Sequence, residues 1–148
     1  MCAARRGHDT SSSGNLIGRT VTNYDDRSRV YQSVVYAVDP GTGTVGNALT
    51  TNKWYAPSGN LQQTQAAGDG QVFSKQLYNG VYWVTGSYRG YNLTGTSSSQ
   101  AATVAGNNII SQVINAYDEV GNVVSTASYD RLNDAPSTGS GTHHARAS

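Results

Sequence analysis

The sequence predicts an all-β fold built from antiparallel β-hairpin repeats, and three observations carry that expectation. A tyrosine-led segment keeps returning along the chain. The composition holds 17 Gly and 10 Tyr with a charged fraction of only 13%. Thr, Ser, Asn, Gln and Val are abundant, which suits strands joined by turns rather than helices. Turn dipeptides such as Asp69-Gly70 and Asn79-Gly80 flank short runs of strand-forming residues.

The recurring segment reads Tyr24-Asp25-Asp26-Arg27-Ser28-Arg29-Val30, then Tyr55-Ala56-Pro57-Ser58-Gly59-Asn60-Leu61. It returns as Tyr78-Asn79-Gly80-Val81-Tyr82-Trp83-Val84 and Tyr117-Asp118-Glu119-Val120-Gly121-Asn122-Val123, with a degenerate copy at Tyr129-Asp130-Arg131-Leu132-Asn133-Asp134. Each part has a physical role. Tyr closes a strand, packing its ring while its hydroxyl stays wet. Asp or Asn bonds nearby backbone and starts a turn. Gly four residues after Tyr takes positive φ at low steric cost. The aliphatic opens the next strand. A lone hairpin is marginal in water, so such units must stack on one another.

The elements follow in order. From Val30 to Val38 the residues Val30, Val34, Tyr36 and Val38 share one side of a strand, and Tyr31, Ser33, Val35 and Ala37 share the other. Asp39-Pro40-Gly41 is a turn with φ preset by Pro. Leu49 to Tyr55 reads as a strand that Pro57 breaks into the next turn. Gln71 to Tyr78 is a strand between the two hairpin dipeptides, and Val81 to Tyr91 continues as strand with interruptions at Gly86 and Gly90. Ser97 to Ala102 reads as a loop. Ile109 to Tyr117 fits either period. Alternation groups Ile109, Val113 and Tyr117, helical spacing groups Ile109, Ile110, Val113, Ile114 and Tyr117, and β-branching favours strand. Val123 to Tyr129 is a further strand.

The segments resemble the YD repeats of the Rhs family, large bacterial cell-surface and toxin-encasing proteins whose repeats also occur in teneurins. The resemblance covers roughly Thr20 to Asp134. Gly59-Asn60-Leu61 and Gly121-Asn122-Val123 fit it best, and Val38-Asp39-Pro40-Gly41-Thr42-Gly43-Thr44-Val45 is similar to spacers in YD-rich surface proteins. The chain departs from the family pattern with Ser28 in place of Gly, Ala56 and Asn79 in place of Asp, Tyr82-Trp83 in place of Gly-Arg, and Asn133 in place of Gly. Asn tolerates the left-handed region. Ser28 and Tyr82 suit it less, which argues against regular hairpins at those turns. The resemblance implies a segment of a spiral sheet, with neighbouring repeats of a longer parent chain as partners. It also implies a structural function at the cell surface or around a toxin, without a catalytic site. The other reading is a carbohydrate-binding β module of a surface adhesin.

This division assigns residues 1–19 to a disordered tail, 20–134 to the repeat region and 135–148 to a second tail. Ser- and Gly-rich stretches at both ends support it. The start, Met1 to His8, carries two arginines without an apolar run after them and is not a secretory signal. Export information for a surface protein is therefore expected on the parent chain. No stretch has the length of a membrane span. A net charge of +1 provides no footprint for nucleic acid.

Little in the sequence points to reaction chemistry. The three histidines, His8, His143 and His144, lie in the tails. Adjacent residues point apart in extended chain, so His143-His144 makes a poor metal site. Cys2 beside Arg5 and Arg6 reads as a free terminal thiol, and as the only cysteine it allows no internal disulfide. Asp25, Asp26, Asp118, Glu119 and Asp130 are absorbed as turn residues, and Asp39, Thr42 and Asp69 are too sparse for calcium. Gly41-Thr42-Gly43-Thr44-Val45-Gly46 has no helix after it to make a phosphate cradle. No cofactor or metal is expected. Asn92-Leu93-Thr94 matches a glycosylation acceptor. Among the aromatics, Trp54 and Trp83 beside repeat positions are candidates for stacking on a glycan, and the competing role is packing between hairpins.

Overall fold

The computed structural model describes residues 16–68, 72–91 and 97–131, together with the backbone of residues 143–146. The fold is nearly all β. The elements are β1 (Arg19–Tyr24), β2 (Val30–Val38), β3 (Val45–Tyr55), β4 (Leu61–Gln65), β5 (Phe73–Tyr78), β6 (Val84–Tyr91), a short helix α1 (Ser98–Ala101), β7 (Asn108–Tyr117), β8 (Val123–Arg131) and β9 (His143–Arg146). Strand order follows chain order, as consecutive hairpins require. The chain divides into two compact units, Met1–Lys53 with Ala66–Gly68, and Trp54–Gln65 with Asp69–Ser148. They are called the first and second unit below.

In the first unit β1 pairs antiparallel with β2, and β2 with β3. Alternation puts Val34 on the buried side of β2 and leaves Val35 exposed. On the Val34 side, Asn23, Gln32 and Asn52 stand opposite one another in register. Their amides form a ladder, Asn23 Nδ2 donating to Gln32 Oε1 at 2.9 Å and Gln32 Nε2 donating to Asn52 Oδ1 at 3.0 Å. Such cross-strand pairs fix the pairing where little apolar cover exists.

In the second unit β4 to β9 pair antiparallel in succession. One register row reads Phe73, Gly90, Ile109 across β5, β6 and β7. Phe73 and Ile109 are fully buried, and Trp54, Tyr88 and Val104 pack against them. Gly90 makes the row closable. A Cβ there would meet the Phe73 ring at 2.5 Å and the Asn108 carbonyl oxygen, so the aromatic ring crosses the strand over bare backbone. Gly86 serves Tyr88 in the same way, with the ring atoms 2.6 Å from where a Cβ would lie. The two glycines expected to interrupt β6 are thus covered positions inside it.

Ile109 to Tyr117 is strand, as its β-branching favoured, paired on both sides through β6 and β8. Several other expectations are corrected. Residues 98–101 form a helical turn where a loop was expected, because Ser97 and Gln100 close a capping box. Tyr129 and Asp130 lie within β8, opposite Gln112 and Ser111, and form no turn. Pairing with the neighbouring strand β7 continues through both residues. His143–Arg146 is β9, inside the stretch read as a tail, and pairs with Ser128 to Arg131. Strand β3 starts at Val45 rather than Leu49. Asn79-Gly80 is not a two-residue loop, as shown below. Cys2, His8, Asp69-Gly70, Asn92-Leu93-Thr94 and Asn133 lie outside the described residues.

Filling the space that the Phe73 ring occupies is expected to destabilise the second unit. Gly90→Ala should cost about 1–3 kcal/mol as an overpacking change. Urea unfolding of the variant, followed by tryptophan fluorescence, measures it. An unchanged midpoint would mean that the ring does not rest on Gly90.

Candidate functional site

The repeat residues build one kind of turn. In the β1–β2 connection, the Asp25 N–H donates to the Arg29 carbonyl at 2.9 Å and the Ser28 N–H donates to the Asp25 carbonyl at 3.0 Å. The same pair of bonds closes Ala56 to Asn60, Asn79 to Trp83 and Asp118 to Asn122. Each is a type I turn followed by a left-handed residue, the three-residue hairpin loop. That residue is Ser28 (φ 60), Gly59 (φ 100), Tyr82 (φ 67) and Gly121 (φ 95). It always falls four residues after the repeat Tyr. The hairpins at Ser28 and Tyr82 are therefore regular, against expectation. A non-glycine residue in this region costs about 1–2 kcal/mol, which the surrounding hairpin bonds outweigh. In the third turn Tyr82, not Gly80, takes the positive φ, since the loop has three residues.

The Asx side chains complete these turns. Asp25 Oδ1 accepts from the N–H groups of Arg27 and Arg29, Asn79 Oδ1 from Val81 and Trp83, and Asp118 Oδ1 from Val120 and Asn122. The Arg29 guanidinium bonding Asp25, seconded by the Arg29 N–H, holds that carboxyl below its ordinary range. The Asn122 amide does the same for Asp118, with backbone N–H groups adding to it. Asp39 caps the β2–β3 turn through the N–H groups of Gly41 and Thr42, and these lower its pKa as well. The carboxylates at 25, 39 and 118 are thus occupied with backbone.

The repeat tyrosines join one hairpin to the one before it. The Tyr78 hydroxyl donates to the Leu61 carbonyl at 2.8 Å. The Tyr117 hydroxyl donates to the Val84 carbonyl at 2.8 Å. Leu61 and Val84 are the aliphatic positions that close the preceding repeats, so the two bonds are equivalent. Trp83 completes the second junction. Its ring lies 5.2 Å from that of Tyr117 at a tilt of 40° and rests on Gly121, where a Cβ would be 2.7 Å from it. Trp54 packs elsewhere, against the Phe73 and Ile109 core. Both tryptophans are half-buried. Tyr24, Tyr55, Gly59 and Asn60 sit at their turns as the repeat places them.

The sequence reading missed Lys75. Its side chain is 1% exposed and runs beneath the connection between β6 and β7. Nζ donates to the Gln100 carbonyl at 3.0 Å, the Thr103 carbonyl at 2.6 Å and Asn107 Oδ1 at 2.5 Å. It also lies 5.6 Å from the Phe73 ring centroid. An ammonium has three donors, and each meets a neutral oxygen. Burial lowers the Lys75 pKa to about 8. The available signal was parity, because Lys75 shares a strand face with Phe73 and Leu77. A shallow cavity of about 180 Å³ lies among Leu61, Thr64, Ser74, Gln76 and Ser87. Among the described residues no group of His, Cys, Asp or Glu is placed to hold a metal, and no helix is long and apolar enough to cross a membrane.

The sequence matches no protein-family model and no curated protein.

Two measurements probe these contacts. Tyr117→Phe removes one hydrogen bond while keeping the ring beside Trp83, and should cost about 1 kcal/mol in urea unfolding. A neutral result would remove the hydroxyl junction as a stabilising contact. For Lys75 the folded pKa lies below the unfolded value near 10.5, so between the two the unfolded chain binds the extra proton and stability rises with pH. Stability should increase by roughly 1–2 kcal/mol from pH 8 to pH 9.5, below the range where Tyr78 and Tyr88, raised by burial, begin to titrate and reverse the slope. The rise should vanish in Lys75→Met. A flat profile in the unsubstituted chain would place the amine in water.

Proposed function

We propose that this chain is a structural YD-repeat segment of a large bacterial cell-surface or toxin-encapsulating Rhs-like protein, without a catalytic site of its own. One observation carries the reading. Each junction in the second unit is completed by the next repeat, whose Tyr hydroxyl reaches back to the aliphatic carbonyl of the repeat before it. Such a unit is one member of a series, in which nearest-neighbour contacts supply the stability. Three further features fit. Val123, the last repeat's aliphatic, has no Tyr-led turn after it among the described residues, and both Val123 and Val124 are exposed. Strand β9 pairs only with Ser128 to Arg131, so the preceding part of β8 has no outer neighbour among the described residues. An open strand edge is where another strand adds. The Asx carboxylates at positions 25, 39 and 118 are committed to backbone, which agrees with an architectural role.

An antibody raised against this chain tests the proposal in the source cells. The expected result is a band far larger than 15.6 kDa, removed when intact cells are shaved with protease. A band of the chain's own mass that survives shaving would overturn it.

A further inference from the structure

The turn at Asn79–Trp83 contains a residue that the fold does not account for. Its left-handed position is filled by Gly59 and Gly121 in the other repeat turns of the second unit, where glycine meets the need without strain. Tyr82 fills it instead, at φ 67, and its side chain is 59% exposed. Strain held at an exposed aromatic, with little burial in return, is a feature from which function is properly inferred. Ser28 shares the conformation in the first unit but adds only a hydroxymethyl group.

Trp83, next to Tyr82, is held in place from two sides by Tyr117 and Gly121. Tyr117 is itself tethered through its hydroxyl to Val84. The Trp83 ring is half-buried, so its remaining surface is fixed in orientation. The turns at 79–83 and 118–122 lie at the same end of the second unit, two strands apart, or roughly 10 Å. Val81 and Val120 are exposed at their tips. Asp118 and Glu119 bring negative charge to the second turn, which disfavours polyphosphate and acidic lipid. An aromatic residue exposed near an exposed carboxylate (Glu119) suits a neutral sugar, whose apolar ring face stacks while its hydroxyls donate to the carboxylate.

We propose that this turn end is a binding site for a neutral glycan, with Tyr82 and Trp83 stacking on the apolar face of a pyranose ring. The site is independent of the shell reading and keeps one of the two tryptophans singled out in the sequence, while Trp54 belongs to the core. Tyr82 is the residue on which the proposal turns. Removing its ring should harm binding and spare the fold, because glycine suits the backbone better than tyrosine does.

The test uses the full chain and a panel of cellotriose, maltotriose and chitotriose at millimolar concentration, followed by tryptophan fluorescence and by saturation-transfer NMR. At least one sugar should bind. Tyr82→Gly should weaken that binding at least tenfold while melting at the same temperature as the parent or higher. Three results would overturn the proposal. These are no sugar binding to the unsubstituted chain, unchanged affinity in Tyr82→Gly, or a lowered melting temperature in that variant, which would make the ring structural. A hydrophobic peptide that quenches Trp83 where no sugar does would likewise reassign the surface to protein docking.

Discussion

Everything in this structure depends on where the chain reverses, and at three of the four repeat turns a single side-chain oxygen braces that place. Asp25, Asn79 and Asp118 each accept two backbone N–H groups across their turns. The left-handed residue that follows adds one residue to one strand, and the register shifts there by that amount. Tyr24 consequently faces Val30, Tyr78 faces Val84 and Tyr117 faces Val123. Once Tyr and aliphatic are opposite, the Tyr hydroxyls at 78 and 117 are in reach of the carbonyls of the preceding hairpin. A local turn therefore fixes a contact between neighbours. Ala56 shows the backbone's share, since its turn closes with the same two main-chain bonds without an acceptor in the side chain.

The second constraint is a shortage of cover. In the second unit the sheet's core is a small group around Phe73 and Ile109, roofed in part by the connection that holds α1. Aromatic rings laid over Gly86 and Gly90 supply contact where side chains of ordinary size would be too short or would clash. Lys75 fastens the roof. Its carbon stem runs along apolar surface while its ammonium bonds two carbonyls and one amide oxygen of the connection. The arrangement takes a buried charge and spreads it over neutral acceptors and an aromatic face. The lowered pKa is the visible cost of that burial.

Much of the fold was legible in the chain because its determinants are local. The Tyr-Asx-x-x-Gly-x-aliphatic pattern names the turn, the bulge and the strand ends within seven residues, and turn geometry does not wait for tertiary contacts. The misreadings occurred where local signals compete or vanish. Tyr129-Asp130 carries the first two residues of the pattern, yet pairing with Ser111 and Gln112 on the neighbouring strand draws it into β8. Ser28 and Tyr82 have the wrong intrinsic preference for their φ, and the four residues around each, closed by hairpin bonds, override it.

By itself the sequence determined the all-β class, the hairpin order and the positions of four repeat turns, because these follow from short-range sterics and side-chain-to-backbone hydrogen bonds. Only the tertiary structure decided which residues form the core and what the tyrosines bond. Lys75 is buried because the segment some 25 to 32 positions later folds over it. Trp54 and Trp83, equivalent in sequence as exposed-looking aromatics beside repeats, part company in the same way. One meets Phe73 and Ile109, and the other rests on Gly121. Burial depends on what a distant part of the chain brings to the same place, and no local pattern carries that information.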